Sequence, residues 1–126
     1  MTEISSIPAF EKDVKKLAKK YPSLPSDLQL FLKALRMVRF SEIRGTVRIA
    51  NLGEVYAKYP VYKVRSFRCV SLRGQGANSG IRVIYYDDEA ADAVTLIQMY
   101  HKSTDENHDV QRICQFLDSL SVESAD

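Results

Sequence analysis

Two cysteines, two histidines, five glycines and four prolines are all that this 126-residue chain holds of the residues that staple, ligate and punctuate. Cys69 and Cys114 are too few for a disulfide scaffold and form no CxxC pair. Each reads as a small buried hydrophobe in a reducing cytoplasm. His101 and His108 belong to no ligand motif, so neither a metal nor a cofactor is expected. No apolar run approaches 18 residues, so no membrane partner or span is expected. Met1-Thr2-Glu3-Ile4-Ser5 lacks the basic and apolar regions of a signal peptide. There is no P-loop, GxGxxG, HExxH or GxSxG. Internal repeats and low-complexity stretches are also missing. What is present is ordinary: 45% hydrophobic and 27% charged residues. These values exclude bulk disorder and fit one domain over residues 1–126, with a polar, frayed tail at 121–126.

The charge is unevenly placed. Residues 1–86 hold 16 of the 18 Lys and Arg but 6 of the 16 Asp and Glu, a net of +10. Residues 87–126 carry a net of −8. Such asymmetry points to a polyanionic partner, unless the fold mixes the two halves on one surface.

Periodicity orders the elements. Residues 2–7 alternate weakly, as a short first strand does. Pro8 suits a first helical turn. Phe10, Val14, Leu17, Ala18 and Tyr21 then recur at helical spacing, with Lys12, Lys15, Lys16, Lys19 and Lys20 on the other face. Residues 21–25 break the helix. Ser26 opens a second one with Gln29 at the capping-box spacing, and Leu28, Phe31, Leu32, Leu35 and Val38 form its stripe. Together they make an αα-hairpin. Residues 40–60 leave open whether Val47–Ala50 is a strand or a helix continuation.

Residues 61–72 read as a strand whose parity changes near Ser66, from a β-bulge or from cover on both faces. Residues 73–80 are a Gly-rich hairpin loop; Gly74, Gly76 and Gly80 suit that better than a phosphate cradle. Strands follow at 81–86 and 93–100, joined by an acidic turn. Ser103-Thr104-Asp105-Glu106 has capping-box form before a last helix carrying Val110, Ile113, Cys114, Leu117 and Leu120. The expected fold is α+β: an N-terminal αα-hairpin packed on a mainly antiparallel twisted sheet, with a C-terminal helix beside the last strand.

The chemistry-bearing residues are basic. Lys63 and Arg65 share a strand face, and an antiparallel neighbour brings Arg82 alongside. Arg68 and Arg73 flank the hairpin, and His101 and Lys102 end the third strand. Tyr62, Tyr85, Tyr86 and Tyr100 lie among them. Cations interleaved with aromatics suit RNA, whose phosphates take the charge and whose bases stack on rings. A solvated sheet face over core tyrosines would give the same pattern.

Tyr62-Lys63-Val64-Arg65-Ser66-Phe67-Arg68, Ser79-Gly80-Ile81-Arg82-Val83-Ile84-Tyr85-Tyr86 and Ile97-Gln98-Met99-Tyr100-His101-Lys102-Ser103, in that order, resemble the RelE/ParE superfamily of type II toxins. So does Phe10-Glu11-Lys12-Asp13-Val14-Lys15-Lys16-Leu17 followed by Tyr21-Pro22. The resemblance spans most of residues 3–118 and is weakest over 43–60. Its RelE branch implies a ribosome-dependent, metal-independent endoribonuclease that cuts mRNA. It also implies a cognate antitoxin, with which the chain would form a hetero-oligomer. Lys63 and Arg65 then match the basic pair of the second strand, and Arg82 the arginine after the hairpin. His101 and Lys102 lie near the family's further basic residues. Arg68, Arg73, Tyr100 and Lys102 would bind RNA. The chain departs from RelE by having Ser103-Thr104-Asp105-Glu106 where an arginine is expected, and no tyrosine after Tyr100.

Cutting RNA without metal uses the ribose 2′-OH against its own phosphate. It needs a base, a stabiliser of developing charge and an acid. Lys63 becomes a candidate base if Arg65 and Arg82 lower its pKa, while the arginines hold phosphate oxygens. His101 competes for proton transfer because imidazole titrates near neutrality. Two alternatives remain: a ParE-like topoisomerase inhibitor, and an inactive RNA-binding member.

Overall fold

The computed structural model describes residues 2–38, 43–72 and 79–124. Its elements are β1 (Glu3–Ser6), α1 (Pro8–Lys20), α2 (Leu24–Met37), β2 (Thr46–Arg48), β3 (Val61–Val64), β4 (Ile81–Asp88), β5 (Ala93–His101) and α3 (Val110–Ser124), with a 3-10 turn at Glu54–Tyr56. The strands form one mixed sheet in the order β1-β5-β4-β3-β2. β1 runs parallel to β5, and the other three pairings are antiparallel. The protein is α+β.

Apolar side chains cover both faces, which is why β4 and β5 read as nearly continuous hydrophobic runs. On one face α1 and α2 set Phe10, Tyr21, Leu24, Leu28 and Leu35 against Val64, Val83, Tyr85, Leu96 and Met99. On the other, Ile113 and Leu117 of α3, with Ile49 and Leu52, cover Val61, Ile84 and Ile97. The C-terminal helix therefore lies across the sheet from the helical hairpin. A β-bulge makes the two-sided arrangement possible. Ile84 pairs with Gln98 and Tyr85 with Leu96, leaving Ile97 unpaired between them. The extra residue sends Leu96 and Met99 to one core and Ile97 and Tyr100 to the other.

β1 pairs only with Ala93–Leu96, so the rest of β5 lacks a strand on that side. Side chains substitute for it. Asp13 of α1 accepts the Met99 N–H at 3.0 Å. Arg112 of α3 donates to the Ile97 carbonyl at 3.1 Å and to Asp13 at 2.6 Å. One ion pair thus closes the sheet edge and ties the two helical layers together.

Several expectations need correction. β3 ends at Val64, and no bulge lies near Ser66. The Arg65 N–H bonds the Gly45 carbonyl at 3.0 Å instead of β4. Phe67 and Cys69 then turn into the helical-hairpin core, which produces the parity change. Helix α2 starts at Leu24, not after Ser26. Proline occupies its first turn instead of ending the hairpin link. Ser103–Glu106 does not open α3. Its start is fixed by Asp109, whose Oδ1 accepts the Arg112 N–H at 3.0 Å. The backbone of 121–124 is helical where a frayed tail was expected. Residues 46–48 resolve the ambiguous segment as a strand. Arg73, Gly74, Gly76 and the last two residues lie outside the described residues.

Candidate functional site

Strand register assembles the site. Lys63 stands opposite Ile84 and Val64 opposite Val83, so Arg65 emerges beside Arg82. Arg82 in turn stands opposite Tyr100. These side chains occupy the α3 face, at the edge of the core to which Tyr100 belongs. The Arg82 guanidinium donates to the Arg65 carbonyl at 3.2 Å, which fixes its aim where β3 leaves the sheet.

The result is a cleft of about 240 Å³ in which Lys63, Arg65, Arg82, Lys102 and Tyr100 face Glu106 and Asn107 of the β5–α3 turn. It shares Val47, Arg65 and Arg82 with a broader hollow of about 670 Å³ running past Arg44 and Ser66. Glu106 is the only acid among these lining residues, against five cations. Two adjoining hollows with that charge balance attract anions.

Burial, then the charges of Arg65 and Arg82, lowers the pKa of Lys63 from its ordinary value. The expected effect is therefore present, with desolvation as its largest cause. Burial raises the Tyr100 hydroxyl, and Arg82 and Arg65 pull it partly back. Tyr100 is thus a neutral donor beside Arg82.

His101 is not in this cleft. It shares the parity of Met99, points to the helical-hairpin side and stacks on Tyr21 at 5.7 Å. Both ring nitrogens are occupied: Nδ1 accepts the Ser103 N–H at 3.0 Å, and Nε2 lies 3.0 Å from the Ser79 carbonyl, to which it donates. Burial lowers its pKa. It latches the end of β5 to the start of β4 instead of standing ready for proton transfer. Gly80, at φ +89°, is required there, since a Cβ would come 2.8 Å from the imidazole Nε2. Arg68 is exposed and lies outside the cleft lining. Of the interleaved tyrosines, Tyr85 is buried and stacks on Tyr62, and Tyr86 packs on Phe116. Tyr100 alone of the four lines the cleft.

Sequence reasoning passed over His108. Its imidazole is held below its ordinary pKa by burial and by Lys63. With the last helix expected from Ser103, His108 fell inside that helix. The Asp109 cap instead leaves it on the turn before α3, next to Asn107, while it is not itself among the residues that line the cleft. Among the described residues, no group of three His, Cys, Asp or Glu side chains is gathered as metal ligands would be. No described helix is long and apolar enough to cross a membrane.

No family model matches the chain, and neither the curated proteins nor the solved structures contain a similar one.

Proposed function

We propose that this chain is a RelE-like toxin, a ribosome-dependent endoribonuclease that cuts mRNA in the cytoplasm and is held inactive by an antitoxin. The observation that carries the reading is the convergence of Lys63, Arg65, Arg82 and Tyr100 on one cationic cleft. Arg65 and Arg82 hold the non-bridging oxygens of the scissile phosphate and offset the charge that grows as the 2′-oxygen attacks. Tyr100 donates a hydrogen bond into the same site. Lys63, easier to deprotonate than a free lysine, carries one of the two proton transfers.

Exposed lysines along α1 add a second positive surface. A flexible acidic antitoxin with apolar anchors would be steered there and fold on binding.

The test is translation of a defined message by purified ribosomes with added protein, followed by mapping of new RNA ends. Cuts confined to ribosome-bound message support the reading. Intact message together with blocked supercoiling by a topoisomerase would replace it with the ParE-like one. Intact message with neither effect rejects both.

A further inference from the structure

The broader hollow beside the cleft carries a cation that the strand pattern did not single out. Arg44 lies on the turn that leads into β2, and hydrogen bonds fasten that turn to the site. The Thr46 N–H bonds the Ile43 carbonyl at 3.2 Å. The Arg65 N–H bonds the Gly45 carbonyl at 3.0 Å, so the β2–β3 pairing runs one residue past Thr46 and Val64. The Ser66 hydroxyl donates to the Arg44 carbonyl at 2.5 Å. Glycine at position 45 permits this approach: its φ is +86°, and a Cβ there would lie 3.1 Å from the Ser66 Cβ. Arg82 in turn donates to the Arg65 carbonyl. Three arginines from three separate segments are therefore tied into one row through backbone groups.

The hollow they line also holds Ile43, Val47 and Ser66, and no acid is among its lining residues. Val47 stands opposite Lys63 on the sheet, yet its side chain is left 44% exposed in the middle of this cationic surface. Ile43 adds a second aliphatic surface. An aliphatic floor under a guanidinium rim suits a nucleotide, whose sugar and base face take the floor and whose phosphates take the rim.

We propose that this hollow is a nucleotide subsite adjoining the cleft. Arg65 and Arg82, which line both spaces, hold the phosphate at their junction. The neighbouring nucleoside lies over Val47 and Ile43, and Arg44 takes the next phosphate along the strand. The turn and Arg82 are two strand spacings apart, about 10 Å, so the ends of the row grip different phosphates. Assignment of the subsite to a substrate RNA rests on the nuclease reading above. Arg44 does not line the cleft, so its contribution is to binding and not to the chemical step.

The test titrates the full chain, by calorimetry at physiological ionic strength, with adenosine 3′-monophosphate and adenosine 3′,5′-bisphosphate. Wild type should bind the bisphosphate about 10-fold more tightly, the effect of one charged phosphate contact. Arg44→Ala should lose that preference, since the clamp uses the Arg44 carbonyl and not its side chain. Lys33→Ala removes an equal charge from exposed α2 and should keep it. In the ribosome assay Arg44→Ala should raise KM about 10-fold and leave kcat unchanged. A wild type without the preference, an Arg44→Ala that keeps it, or a Lys33→Ala that loses as much overturns the inference and leaves the nuclease reading standing. So does a fall in kcat with KM unchanged in Arg44→Ala. A wild type that cuts no message overturns the nuclease reading and, with it, the assignment to a substrate strand.

Discussion

Replacing Asp13 with alanine should cost far more than a partly exposed acid on a lysine-rich helix suggests. Its carboxylate accepts from Arg112 at 2.6 and 3.3 Å and from the Met99 N–H at 3.0 Å. Side-chain exposures of 24% and 19% place the pair between a surface bridge and a buried one. The ion pair therefore contributes about 1 kcal/mol. The Met99 amide, left without an acceptor beside a core strand, adds about 1–3 kcal/mol. A loss of about 2–4 kcal/mol follows, and at about 4 °C per kcal/mol for a chain of this length Tm falls by about 10 °C. Asp13→Asn keeps an acceptor for Met99 and should lose only about 1–2 kcal/mol. Urea unfolding at pH 7 measures both. A double-mutant cycle with Arg112→Ala should give a coupling of about 1 kcal/mol. Hydrogen exchange should quicken at Met99 and its neighbours before the rest of the sheet. A loss below about 0.5 kcal/mol in Asp13→Ala, or a cycle with no coupling, would refute the view that this pair closes the open edge of β5.

Arg82→Ala should lower cleavage about 10²–10³-fold by removing a charge stabiliser. Arg82→Lys should recover little, because a lysine cannot both donate to the Arg65 carbonyl and grip a phosphate in a fork; rates of message cutting decide it. Gly80→Ala should destabilise by about 2–3 kcal/mol in urea, combining a left-handed backbone with a Cβ driven into His101. Both imidazoles have lowered folded-state pKa values, so the unfolded chain binds their protons first. Stability should therefore fall as pH drops below about 6.5, and removing both histidines should flatten that slope in thermal melts. Lys12, Lys15, Lys16 and Lys19 changed together to Gln should slow antitoxin association and weaken its salt dependence in stopped-flow measurements.

Helix and strand order was legible because it is written in local spacing. Phe10, Leu17 and Tyr21 recur on one side of α1, and Lys63 and Arg65 at i and i+2 had to share a strand face. Arg82 joined them once β3 and β4 were read as antiparallel neighbours. The resemblance to toxins added roles for those cations without changing where they lie. Element ends were less legible. Pro25 and Ser26 looked like a stop and a new start, yet proline at a first helical turn fits both readings. Ser103–Glu106 carried a capping-box pattern, but the helix waits for Asp109.

By itself, the sequence determined the α+β class, the helical hairpin and the cationic character of the strand face, because each follows from side-chain period and charge along a few neighbouring residues. Tertiary structure alone decided which layer each side chain at the end of β5 faces. One unpaired residue, Ile97, sets the facing of every side chain after it on β5, so His101 turns to the helical hairpin while Tyr100 enters the cleft. It also decided the Asp13–Arg112 closure, between residues 99 apart in sequence. A bulge and a cross-layer ion pair depend on which backbone groups the neighbouring strand leaves unpaired, and β1 leaves those groups unpaired by ending at Ser6.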